Sequence, residues 1–199
     1  MGLLPKDVPV RVSIAAWYWG AYLGDEAVNQ GVNVCISRWR RISPTSFIPL
    51  AKGVGGYMNS TLAKIDAVEN GYDDAIMLGD DGTVAEGSGQ NIFIVKDNTI
   101  FTPTTEHCLN GITRQSVIQI AIDLGFEVVE KNLDYADLSE ADEAFFTGTA
   151  VEITPITKLD NKVINTGLRG DITFQLQEKF QAILSGHDTA YESWLTYTT

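Results

Sequence analysis

Glu86-Gly-Ser-Gly-Gln-Asn-Ile-Phe-Ile-Val-Lys-Asp-Asn-Thr-Ile-Phe101, continued by Thr-Pro-Thr-Thr-Glu-His-Cys-Leu-Asn-Gly-Ile-Thr-Arg114, decides how this chain is read. Asn91–Val95 and Thr99–Phe101 are β-branched and aromatic runs on either side of Asp97-Asn98, so they predict two strands joined by a tight turn. Glu86 stands at the end of a preceding strand, and Gly87 and Gly89 after it let the backbone bend closely round something. Asn110-Gly111 suits the residues just ahead of a helix, which the pattern predicts over 113–124. The first-turn amides of Ile112 and Thr113 would then point outward without an intrahelical acceptor.

Working upstream, Asp74–Leu78 reads as a strand, Asp80-Asp81-Gly82 as a hairpin turn and Thr83–Glu86 as the return strand. Tyr57–Asn70 is a predicted helix with Met58, Leu62, Ile65 and Val68 on one stripe, closed by Asn70-Gly71. Pro44 and Pro49 make a loop ahead of it. Asn33–Trp39 and Val10–Ala16 read as strands, Trp17-Tyr-Trp-Gly20 as an aromatic turn and Asp25–Gln30 as one helical turn. Downstream, helix 113–124 is apolar nearly all round and is expected to be buried. Strands follow at Phe126–Glu130, Glu143–Thr147 and Glu152–Lys158, with a short helix at Leu138–Asp142 and a longer one at Gly170–Leu184. Interspersed elements with short links give an α+β class, a mixed and largely antiparallel sheet or barrel flanked by helices.

Composition narrows the function classes. The formal charge of −12 over 199 residues argues against a nucleic-acid partner, whose phosphates need basic patches. Only Arg38, Arg40 and Arg41 cluster. No apolar run reaches the length of a membrane span, and residues 1–20 lack the form of a signal peptide. Cys35 and Cys108 are too few for a disulfide framework and lack zinc-site spacing, so a cytoplasmic chain without a metal is expected.

Four places could carry chemistry, and each also has an ordinary structural account. Lys52, between Ala51 and Gly53, is either a loop lysine or an amine in a close-fitting pocket that disfavours its charged form and makes it a nucleophile toward an aldehyde. Glu86 is either a surface carboxylate or a partner for a ring nitrogen. The turn at Gly111, Ile112 and Thr113 is either plain capping or an anion site at a helix start. Phe146-Thr-Gly-Thr-Ala150 is either a plain turn or a second set of donors to an anion.

Their order and spacing resemble the signature of the class IV, or fold-type IV, pyridoxal-phosphate-dependent aminotransferases over Glu86 to Arg114. The likeness continues through Trp19-Gly-Ala-Tyr-Leu-Gly24, Ser37-Arg-Trp-Arg-Arg41, Lys52-Gly-Val-Gly-Gly-Tyr-Met-Asn-Ser60 and Thr147-Gly-Thr-Ala-Val-Glu-Ile-Thr-Pro155. It therefore covers nearly the whole chain and is strongest toward the branched-chain amino acid branch. The resemblance implies that Lys52 is the catalytic lysine bonded to pyridoxal 5'-phosphate, and that Glu86 meets the pyridine nitrogen. Tyr57 would contact the ring hydroxyl, while Ile112, Thr113 and Thr149 would hold the phosphate, with Gly111 and Gly148 also among the cofactor-binding positions. Trp39, Thr149 and Ala150 match the substrate-binding positions.

The implied reaction moves an amino group between L-leucine, L-isoleucine or L-valine and 2-oxoglutarate, in a homodimer. Other members of the family act on D-amino acids or amines, or are aminodeoxychorismate lyases, and a chain that only binds the cofactor is a further possibility. Family members carry a small N-terminal domain, which supplies an arginine to the phosphate and part of the substrate pocket. It has no counterpart here, so residues 1–199 are expected to form a single cofactor-binding domain, a truncated product with an exposed apolar face.

Overall fold

Alternation along one strand shows how the core is divided. In Asn91–Lys96, Ile92 and Ile94 belong to one buried cluster, while Phe93 and Val95 belong to another. A strand whose odd and even residues are both apolar is covered on both faces. The computed structural model in which this is seen describes residues 3, 4, 6, 8–18, 22–24 and 26–197.

In chain order the elements are α1 (Ala27–Gln30), β1 (Val32–Ile36), α2 (Met58–Glu69), β2 (Asp74–Leu78), β3 (Val84–Gly87), β4 (Asn91–Lys96) and β5 (Thr99–Thr102). They continue as α3 (Ile112–Asp123), β6 (Glu127–Glu130), α4 (Tyr135–Ser139), β7 (Glu143–Gly148), β8 (Glu152–Leu159), β9 (Lys162–Val163) and α5 (Asp171–Leu184). One turn of 3-10 helix, Val54–Tyr57, leads into α2, and another covers Thr189–Trp194.

The strands form one sheet in the order β3-β2-β1-β8-β7-β4-β5-β6, with β9 paired to β8. β1 runs parallel to β2 and β8, and β5 parallel to β6; the other pairings are antiparallel. The class is α+β, as the sequence pattern implies. Val84 of β3, Val34 of β1, Phe146 of β7 and Ile92 of β4 share one cluster, so the sheet is curled about it. On the other face α3 and α5 supply Val117, Ile120, Ile172 and Leu176 against Phe93 and Phe145.

Local chemistry places the turns. Asp97 and Asn98 adopt φ of 49° and 61°, the left-handed pair that closes the β4–β5 hairpin in the sense of the strand twist. At α4, Asp134 accepts from the Asp137 amide while the Asp137 carboxylate accepts from the Asp134 amide, both at 2.9 Å. This reciprocal cap starts the helix at Tyr135 rather than at Leu138.

Four other expectations are corrected. Residues 8–18 join no ladder with the described residues, although Val10, Val12 and Ile14 alternate; each is exposed, because no sheet edge lies beside them. β1 stops at Ile36, short of Trp39. Helix α2 forms, but Met58, Leu62, Ile65 and Val68 are 41% to 70% exposed. Its inward face is Ser60, Ala63 and Ala67, whose small side chains let it lie closely against Ala75 and Met77 of β2. Helix α3 is only partly buried, since Ile122 and Leu124 face outward. The turn at Trp17–Gly20 and the start of the helical turn at Asp25 reach outside the described residues, as does part of Trp19–Gly24. No helix among the described residues is long and apolar enough to cross a membrane.

Candidate active site

The ends of β3, β4 and β7 and the start of α3 meet at one cleft. Asn91 and Thr147 are register partners on β4 and β7, so the first residue of one strand and the penultimate residue of the other sit side by side there. The cleft measures about 1010 Å³ and is lined by Lys52, Tyr57, Glu86, Asn91, Gly111, Ile112, Thr113, Thr147, Gly148, Thr149 and Ala150, among others. That volume lies at the upper end of the roughly 300–1,000 Å³ usual for small-molecule sites. Nine positions singled out in the sequence are thus gathered in one place.

Glu86 is buried at the inner end. Its Oε1 is 2.9 Å from Arg41 Nη2, and its Oε2 accepts from Asn91 Nδ2 and the Leu109 amide, each at 3.3 Å. Burial pushes its pKa up to about 7, against the opposing pull of the Arg41 charge, the Leu109 amide and the Lys52 charge. Cys108 lies nearby. Burial foremost, then the Glu86 charge, pushes its thiol up to about 12, so it stays protonated.

The loop carrying Leu109 is held from two sides. Arg114, almost fully buried, pairs with Glu130 at 2.6 Å and donates to the Pro103 carbonyl. His107 sits between Asp80 and Asp81, its two ring nitrogens 3.5 Å and 3.4 Å from different carboxylates. A Cβ at Gly79 would come within 2.8 Å of the His107 ring, so the hairpin turn needs glycine there to close over the imidazole.

At the outer end Lys52 Nζ donates to the Tyr57 hydroxyl at 3.1 Å. Lys52 is exposed at the mouth of the cleft, so the close-fitting apolar pocket suggested by its neighbours does not surround it. Ala51, Val54 and Gly55 beside it are themselves exposed and do not enclose the amine. Trp39 does not line the cleft either. It packs against the cluster of Ala63, Ala67, Ala75 and Met77, because the chain leaves β1 at Ile36 and turns under α2.

The third wall is built from backbone. Gly111 caps α3 in an extended conformation and no side chain caps the helix. The first amide with a helical acceptor there is that of Gln115, bonded to the Gly111 carbonyl at 3.0 Å. The amides ahead of it have no helical acceptor and, with the helix dipole, could receive an anion. Only glycine fits at 111, since a Cβ there would collide with Asn91 Oδ1. Beside it, the β7–β8 turn carries Gly148, Thr149 and Ala150, and the fully buried Thr147 Oγ1 has no hydrogen-bond partner among the described residues. A buried hydroxyl left unpaired costs stability unless a ligand or water meets it. An amine, a buried carboxylate and uncapped amides around one cavity fit a flat, anionic, aldehyde-bearing ring. Sequence reasoning missed Arg41, Asn91, Ser60 and Thr147 as parts of this site; the Ser37–Arg41 motif was the one signal pointing toward Arg41.

Comparison with known proteins agrees with this geometry. The model of the amino-transferase class IV family matches residues 2–159. The branched-chain-amino-acid aminotransferase of Pseudomonas aeruginosa is 46% identical over 196 residues, 98% of this chain and 64% of that protein. The branched-chain aminotransferase of Thermoproteus uzoniensis, solved with norvaline, superposes with a TM-score of 0.86 at 45% identity, covering 92% of this chain and 59% of that one. The holo, PLP-form structure of the Thermobaculum terrenum enzyme gives 0.81 at 41% identity, over 83% and 54%. The chain spans less than two thirds of the length of these relatives. With the curled mixed sheet of the fold-type IV enzymes and a family match over most of its length, this chain belongs to the class IV aminotransferases.

Proposed function

We propose that this chain is the cofactor-binding part of a pyridoxal-phosphate-dependent transaminase that moves the amino group between L-leucine, L-isoleucine or L-valine and 2-oxoglutarate. One observation carries the reading: Lys52, Glu86 and the two donor-rich turns line the same cleft. When bound, the cofactor supplies a ring that takes up the electron pair left on the substrate Cα as its proton departs.

The residues divide that work. Lys52 would hold the cofactor through its amine and, when that amine is free, would move the proton at the substrate Cα. Tyr57, already in contact with Lys52 Nζ, meets the ring hydroxyl. Glu86 would accept a hydrogen bond from the ring N–H and so favour the charged form of that nitrogen. Gly111, Ile112, Thr113, Gly148 and Thr149 hold the phosphate through amides and hydroxyls. Thr149 and Ala150 meet the substrate carboxylate. The similarity to branched-chain aminotransferases supports the branched-chain substrate class. The exposed apolar stripe of α2 and the two free thiols fit a homodimer in the cytoplasm, with residues 1–199 serving as one cofactor-binding domain.

The test uses the chain as it stands. Mixed with pyridoxal phosphate, it should develop the visible absorption of a lysine–cofactor adduct, and Lys52→Ala should abolish that absorption without loss of the far-ultraviolet dichroism. A band that persists in the variant removes Lys52 from its role. Exposure of the loaded chain to L-leucine, with D-alanine as the contrasting donor, should bleach the band with L-leucine alone; an unchanged band defeats the transaminase reading for this chain.

A further inference from the structure

The carboxylate at the inner end of the cleft is held from behind by a residue that does not reach the cleft. Arg41 is buried, and its side chain and that of Glu86 are 9% and 7% exposed. One terminal amino group pairs with Glu86 Oε1 at 2.9 Å, and the other donates to Ser60 Oγ at 2.8 Å on the inward face of α2. The Arg41 amide donates to the Leu78 carbonyl, so its backbone is fastened to the end of β2. Glu86, Ser60 and Tyr57 line the cleft; Arg41 does not.

The two carboxylate oxygens are therefore unlike. Oε1 is occupied by a short ion pair. Oε2 receives two hydrogen bonds at 3.3 Å, from Asn91 and Leu109, both at the long end of the range, and retains capacity for a closer donor from the cleft. Among the described residues Arg41 Nε is buried with no hydrogen-bond partner, and Glu86 is the carboxylate paired with this guanidinium. The arginine also lies 6.0 Å from the Tyr57 ring centroid, with Lys52 Nζ 5.4 Å from the same ring.

We propose that Arg41 is a positioning residue, which turns Oε2 of Glu86 toward the cleft and keeps the carboxylate anionic for a protonated ring nitrogen there. The proposal rests on the cofactor reading above. It follows from the cost of burial: a carboxyl withdrawn from water takes up a proton unless a fixed cation opposes it, and a protonated Glu86 cannot hold a ring nitrogen charged. The charged groups facing Glu86 are Arg41 from the segment after β1 and Lys52 from the loop before α2. The protonated Cys108 thiol is near enough to feel the Glu86 charge, and Arg114 and Glu130 act on that thiol in turn.

The experiment follows the carboxyl itself. Carbon-13 chemical shifts are recorded against pH on glutamate-labelled chain without cofactor, with the Glu86 signal assigned by its loss in Glu86→Gln. In Arg41→Met the Glu86 midpoint should rise by about one pH unit or more, and Arg41→Lys should restore most of the difference. Ser60→Ala frees only one amino group of Arg41 and should move the midpoint the same way by less. It keeps the test open if Arg41→Met does not fold. With pyridoxal phosphate, Arg41→Met should need about tenfold more cofactor near neutral pH to reach half of the visible band. An arginine with a purely structural role would lower the melting temperature and leave the midpoint in place, and that result overturns the proposal. Absence of the band in the unaltered chain would instead overturn the cofactor reading, and the carboxyl titration would still judge Arg41.

Discussion

The two ends of the cleft recognise charge in different ways. The inner end is made of side chains: a buried carboxylate, a buried guanidinium and an amide-bearing Asn91, brought together from β3, the segment after β1 and β4. The outer wall is made of backbone: uncapped amides of α3 and the turn after β7, with Ile112 itself 82% exposed. A side-chain site can be tuned by neighbours but carries a desolvation cost. A backbone site costs little, and it cannot be altered by substitution without moving the chain. The contrast suits a ring that must have its protonation controlled at one end and simply be held at the other.

The largest effect should come from taking away what the outer wall holds. Pyridoxal lacks the phosphate, and two lost charge-assisted hydrogen bonds at about 1.5–3 kcal/mol each predict a fall in affinity of about 10² to 10⁴-fold. Titration of the visible band with each compound measures it; equal affinities would mean that the amides at 112–113 hold nothing.

At the inner end the signature is a pH dependence. The folded-state pKa of Glu86 lies near 7, above its ordinary value of 4.5, so the native chain keeps a proton that the unfolded chain releases. Stability from this group is therefore fullest below pH 4.5 and declines as pH rises to about 7, by an amount on the order of a few kcal/mol. Glu86→Gln, which resembles the protonated carboxyl, should match the unaltered chain below pH 4.5, and the decline across that window should vanish from its urea-unfolding curve. A decline of the same slope in the variant would assign it to other groups.

Gly111→Ala drives a Cβ into Asn91 Oδ1 and should cost about 1–3 kcal/mol in chemical denaturation, with weaker cofactor binding. Thr147→Val separates ligand from fold. Exchanging an unpaired buried hydroxyl for a methyl should leave the melting temperature unchanged or raised, while cofactor affinity falls about tenfold, by about 1.4 kcal/mol. A drop in both would show that the hydroxyl serves the fold alone. The smallest effect belongs to Ile112→Ala, which keeps the amide and removes an exposed side chain; stability and affinity should both stay within about 0.5 kcal/mol.

Residue order alone determined much of this protein, wherever the deciding interactions are local. Asp97-Asn98 marks its turn, the alternation in Asn91–Val95 marks a strand covered on both faces, and Asn110-Gly111 marks a helix start with free amides. The Glu86 to Arg114 motif also carried the family. Where distant segments meet, tertiary structure decided. It turned the alanines of α2 inward and left Met58, Leu62, Ile65 and Val68 outside, because the sheet offers β2 only a shallow seat that small side chains fill. It left residues 8–18 outside any ladder with the described residues, since alternation makes a strand only where an edge is there to pair with. It put Trp39 under α2 and Arg41 against Glu86, which no periodicity foretells. An ion pair between remote segments is chosen by the whole packing of the chain, and a local pattern holds no record of it.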